Sequence, residues 1–179
     1  MKIKTHMFLK SVLFLTLSGI AIGLLIGIID SSLHFISLEN FKILNIITFI
    51  LFFAGVYWSV IFLRNKFYNG LLSYGRAFRN IIFTGIIATF VISIIRYIYL
   101  NYIISVDIEH ILNQTKETML DKYSLYTDDQ IYNRLSFIEF SYNPIISSLF
   151  YFLYYISFVI IFAFLASFVI RRIDRNISL

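Results

Sequence analysis

Four long apolar runs dominate this chain and restrict it to few folds. They are Phe8 to Ile29, Ile43 to Leu63, Ile81 to about Tyr102, and Ile145 to Ile170. Crossing a hydrocarbon core about 30 Å thick takes roughly 20 apolar residues in helical form. Each run meets that length, and in lipid only a helix or a closed barrel satisfies its own backbone. Hydrophobic residues make up 59% of the 179 and charged residues only 14%, whereas soluble domains carry about 25% charged residues. The expectation is an all-α integral membrane bundle of four transmembrane helices, forming a single domain over 1–179. The first run is longer than the apolar core of a secretory signal, and no small-x-small cleavage site follows it. It therefore reads as an uncleaved first span.

Charge placement orients the bundle. Lys2, Lys4 and Lys10 precede or enter the first span. Arg64, Lys66, Arg76 and Arg79 lie between the second and third, and Arg171, Arg172 and Arg175 follow the fourth. The opposite side carries Lys42, Lys116, Lys122 and Arg134 beside Asp107, Glu109, Glu117, Asp121, Asp128, Asp129 and Glu139. The basic excess on one side predicts cytoplasmic N- and C-termini. It also predicts contact with anionic lipid headgroups on that side. Confined to the loops of one side, these cations are a topology signal, and no nucleic-acid partner is expected.

The loop over about 103–143 is the one sizeable part outside the spans. Ile108, Ile111, Leu112, Thr115, Met119 and Tyr123 fall near one helical face. A second segment opens with Thr127 and Gln130 in capping-box spacing and continues with Ile131, Leu135 and Ile138. Two short amphipathic helices are predicted between spans 3 and 4, lying on the bilayer surface or capping the bundle. At its end, Asn143-Pro144 places a capping residue and then a proline where a helix starts.

Few residues bear chemistry. The chain has no cysteine, which excludes disulfides, thiol nucleophiles and Cys-based zinc sites. Asp30 and His34 in the first outer loop, and Asp107, Glu109 and His110 in the second, lack metal-ligand spacing and read as solvated loop residues. Hydrolase elbows and phosphate loops are absent. No metal, cofactor or enzymatic activity is expected.

Three features remain. Gly19, Gly23 and Gly27 recur every fourth residue, so one face of the first span offers a groove for close helix approach. Ala163 and Ser167 repeat the pattern in the fourth. These small residues serve either packing within the chain or contact with a second copy. Arg96 stands in the third span among Tyr97, Tyr99 and Tyr102. It either snorkels to the outer interface, pairs with Asp30, or takes part in handling a substrate or ion. Asn45, Thr48, Thr84 and Thr89 are further polar positions inside the runs.

The connection between spans 2 and 3, "RNKFYNGLLSYGRAF", resembles a segment of the domain of unknown function 4199 family. Asn69, Gly70, Ser73, Tyr74, Gly75, Ala77 and Phe78 carry the likeness. The four-span layout and the closing "ASFVIRR" are similar too. The resemblance implies a bacterial inner-membrane protein without an assigned activity and supplies no catalytic residues. Physically the motif reads as a turn at Gly70, a cap at Ser73 and a close-packing glycine at Gly75. The functional expectation is a non-enzymatic protein that packs with itself or with a membrane partner. The alternative is a small transporter or channel component using Arg96.

Overall fold

The structure, a computed structural model, describes residues 2–32, 38–103, 113, 117 and 127–171. Its elements are α1 (Lys2–Ser32), α2 (Leu38–Phe67), α3 (Tyr74–Ile98), α4 (Asp128–Tyr142) and α5 (Pro144–Ile170), with a π-helical turn Tyr99–Ile103 extending α3. Apolar segments Phe8–Ser31, Asn45–Phe67, Tyr74–Ile103 and Pro144–Ile170 are each long and apolar enough to cross a membrane. The protein is an all-α, multi-pass membrane protein. The helices outrun the apolar stretches read from sequence, above all at the start of α3. Exposed polar residues such as Arg76 and Arg79 continue the helix beyond the apolar run, where hydropathy no longer registers it.

Helices α1 and α3 run parallel, and α2 and α5 run against them. Beta-carbons added at Gly19, Gly23 and Gly27 would meet Ile87, Val91 and Ile95, a constant offset of 68 residues. A steady offset of one sign is what parallel neighbours give. On its other side α3 packs antiparallel to α5, with Gly85 against Val159. The buried stripe of α3 alternates small and β-branched residues: Ala77, Ile81, Thr84, Gly85, Ala88, Thr89 and Ile92. Small residues let backbones approach, which drives association where lipid removes the hydrophobic contrast.

Helix α2 packs on α1 through Gly55 against Ile22 and through Phe14 stacked on Phe62 at 5.2 Å. Its contact with α5 is of another kind. Phe49, Phe52 and Phe53 reach Phe158, Tyr155 and Phe162 at centroid distances of 5.0, 5.1 and 4.7 Å. Long rings bridge a wider gap there than glycines could.

At the end bearing the termini, the turn after α2 has Asn69 at φ 49° and Gly70 at φ 80°. Both are left-handed conformations that asparagine and glycine tolerate best. Arg64 O accepts from Tyr68 N and Gly70 N, which closes the turn. Ser73 occupies the N-cap of α3 but makes no side-chain capping bond, so the predicted cap is corrected to a position alone. Gly75 is corrected as well: a beta-carbon there meets nothing within 4 Å.

At the other end the Thr127–Gln130 capping box of α4 is formed in both directions. Ile131 is buried, and Tyr142 packs on Tyr99 and Leu100. The helix expected over Ile108 to Tyr123, and with it His34, Asp107, Glu109 and His110, lies outside the described residues; Asn113 and Glu117 alone are described, as helical. The side chain of Ile138 also lies outside them.

Candidate functional site

The local start of α5 determines where its polar side chains point. Asn143 Oδ1 accepts from the backbone of Ile145 and Ile146 at 3.1 and 3.2 Å, and Pro144 takes the first helical position. One turn further, Ser147 and Ser148 are buried, and Tyr155 and Val159 continue the inward stripe. This stripe faces α3 where α3 carries Arg96.

Arg96 does not reach outward to the surface. Its side chain turns into the bundle with 7% of its area exposed. Its Nε donates to Ser147 Oγ at 3.4 Å, and its guanidinium stands 4.6 Å from the centre of the Tyr151 ring. The face of a tyrosine ring attracts a cation, so Tyr151 and Ser147 together hold the charge in place. The π-helical turn begins at Tyr99, three residues on; such turns recur at functional positions.

Of the two readings of Asp30, the solvated loop is corrected, whereas its place as a charge near Arg96 accords with the structure. Sequence reasoning put it in a solvated loop at the edge of the first span, but α1 continues through Ser32 and Asp30 is helical and 7% exposed. It lies within electrostatic reach of Arg96. Two opposite charges taken out of water together cost far less than either alone.

A cavity of about 380 Å³ opens beside the pair. Asp30 and Asn45 are its polar walls, Ile46, Phe49 and Ile50 come from α2, and Phe150, Tyr151, Tyr154 and Tyr155 come from α5. It forms because α2 and α5 meet through rings rather than small residues. Tyr155 lies about 16 Å along α5 from Pro144 at 1.5 Å per residue, so the cavity reaches well into the bundle.

The remaining candidates fall elsewhere. Gly19, Gly23 and Gly27 form the α1–α3 seam. Ala163 and Ser167 are buried on α5, with the Ser167 hydroxyl returned to Ala163 O. Thr84 and Thr89 donate to Asn80 O and Gly85 O one turn back, so neither offers a free hydroxyl to a path through the bundle. Of the four polar span positions, Asn45 alone lines the cavity.

The loop motif serves the opposite end. Ala77 is fully buried and Phe78 packs on the core. Tyr74 sets its ring 4.7 Å from that of Phe168 and its hydroxyl 3.4 Å from Phe164 O. Arg64, read from sequence only as a topology charge, is 8% exposed and donates from Nη1 to Ile170 O at 3.0 Å. It thereby caps the C-terminus of α5, where a cation also meets the negative end of the helix dipole. No spacing in the sequence links Arg64 to Ile170. Ser147 and Tyr151 were also missed, yet their four-residue spacing after Asn143 was a usable signal.

A family model described as "Protein of unknown function (DUF4199)" matches residues 7–172. No curated protein and no solved structure matches the chain.

Proposed function

The chain belongs to this family of proteins of unknown function, and from that premise we propose that it is a non-enzymatic binding component of the inner membrane, acting at the cavity that Asp30 lines, with Arg96 behind its Tyr151 wall. One observation carries the reading: the buried carboxyl of Asp30 lines a cavity of about 380 Å³ with aromatic walls. Ligand sites are concave and mostly apolar, with a few placed polar groups, and ionisable residues inside spans mark such sites. A continuous channel is less well supported, since the Thr84, Thr89 and Ser93 hydroxyls are all taken up by their own helix. Association of two copies through the glycine groove is likewise less favoured, because α3 of the same chain fills it. A membrane-protein partner would dock on another face.

Orientation belongs to the same proposal. Lys10, Lys66, Arg76, Arg79 and Arg171 are exposed at the end bearing the termini, while Asp128, Asp129 and Glu139 are exposed at the other. Positive-inside bias then puts both termini in the cytoplasm beside anionic headgroups.

Single-cysteine variants test both parts in a chain that lacks cysteine. In membranes, Asn45→Cys on the cavity wall is expected to react with a small water-soluble thiol reagent, and lipid-facing Leu17→Cys is not. A thiol reacts as thiolate, so labelling reports water at the site. In intact cells an impermeant reagent should reach Asn133→Cys and not Ser73→Cys. Failure of Asn45→Cys to react removes the binding reading, and labelling of Ser73→Cys alone reverses the orientation.

A further inference from the structure

The chemistry of the cavity wall selects a ligand class. Five aromatic residues, Phe49, Phe150, Tyr151, Tyr154 and Tyr155, line it together with the carboxyl group of Asp30. Arg96 is not among the lining residues; it stands over Tyr151 with its Nε on Ser147. The charged group at the wall is therefore an acid, and the faces around it are rings whose quadrupoles present negative charge. Aromatic walls of this kind recognise alkylated ammonium groups.

We propose that the cavity binds the ammonium group of an amphipathic organic amine, with Asp30 as its counter-charge and the rings of Tyr154, Tyr155 and Phe49 as its cage. The proposal rests on the binding reading above and names its ligand. A bound cation competes with Arg96 for Asp30. Arg96 holds the Ser147 hydroxyl and the Tyr151 ring whichever cation Asp30 faces. An anion would find the opposite situation, with Asp30 at the wall repelling it and Arg96 absent from the lining. The ammonium could belong to a lipid headgroup or to a free amine, and the chemistry at the wall is the same for both.

The test uses Asn45→Cys protein in lipid nanodiscs and follows protection of the thiol from modification. The probes are benzyltrimethylammonium, its uncharged carbon isostere neopentylbenzene, and benzenesulfonate. The cation is expected to protect at a concentration at least ten-fold lower than the isostere, and benzenesulfonate not to protect. Asp30→Asn should erase the advantage of the cation over the isostere. Arg96→Gln should keep or enlarge it by removing the competitor. Asp30→Asn leaves Arg96 buried without its acid and can fail to fold; Tyr154→Leu then serves, weakening the cation several-fold while leaving the isostere unchanged.

Equal protection by cation and isostere overturns the proposal, as does protection by benzenesulfonate that Arg96→Gln removes. If Asn45→Cys does not react at all, the binding reading falls with it. Reaction without cation protection sinks this inference alone. Slower labelling in phosphatidylethanolamine than in phosphatidylglycerol, with no probe added, assigns the ammonium to a headgroup. Equal rates with protection by the added cation assign it to a free amine.

Discussion

The α1–α3 seam and the α2–α5 seam join helices in the same bundle with opposite side chains. In the first, Gly19, Gly23 and Gly27 receive Ile87, Val91 and Ile95. Backbones approach closely, and β-branched side chains enter with little rotamer freedom to lose. In the second, phenylalanines and tyrosines meet ring to ring, and a cavity remains where they diverge. Glycine seams have no spare volume, whereas ring seams can repack. The difference separates a seam packed without gaps from one that leaves a cavity.

The largest test of this contrast is Gly23→Ile. Even a single beta-carbon at Gly23 would stand 2.6 Å from Ala88 O and 2.6 Å from the Val91 Cβ, and backbone cannot rotate away. Gly23→Ala should cost about 1–3 kcal/mol, in the range of overpacked cores, and Gly23→Ile more than that, measured as loss of folded monomer in detergent. Loss of a cross-linked dimer with the monomer intact would assign the groove to another copy instead. Gly27→Ala should be milder, because its nearest neighbour is the flexible Ile95 Cδ1.

Arg64→Met comes next. It removes the bond to Ile170 O and should cost about 1.5–3 kcal/mol, as for hydrogen bonds made by charged groups. Retained thermal stability would mean that water caps α5 equally well.

The ring seam should respond more weakly. Phe49→Leu keeps an apolar side chain of similar volume and should cost under about 1.5 kcal/mol, while speeding thiol labelling of Asn45→Cys. A loss as large as that of Gly23→Ala would erase the proposed contrast between seams.

The smallest effects separate two glycines of the loop. Gly75→Ala, with open space around it, should be neutral or stabilising by up to about 1 kcal/mol in a helix. Gly70→Ala should destabilise, since φ is +80° there. Equal thermal shifts would contradict the turn geometry.

The spans could be read from the sequence because a bilayer imposes a length and a polarity that any run of about 20 apolar residues reveals. Asn143-Pro144 and Thr127–Gln130 were legible because caps act within four residues. The glycine stripe announced a close approach but not its partner. Ile87, Val91 and Ile95 carry the same four-residue spacing, yet only the fold sets them opposite. The solvated-loop reading of Asp30 failed because the helix continues past the apolar run, and hydropathy sees only where the apolar run stops; its alternative, a charge set near Arg96, was legible. The cavity left no trace in the sequence at all, since it depends on how far α2 stands from α5.

The parallel pairing of α1 with α3 also has a consequence in time. Chains enter a membrane from the N-terminus onward as they are made. Until α3 is made, nothing in α1 or α2 fills the notches at Gly19 and Gly27, which in the finished fold receive Ile87 and Ile95. Asp30 waits in the same hairpin without the arginine that later balances it. A hairpin of α1 and α2 alone would be open along the surface that is tightest in the finished molecule, and only the packing of α3 fills the notches at Gly19, Gly23 and Gly27.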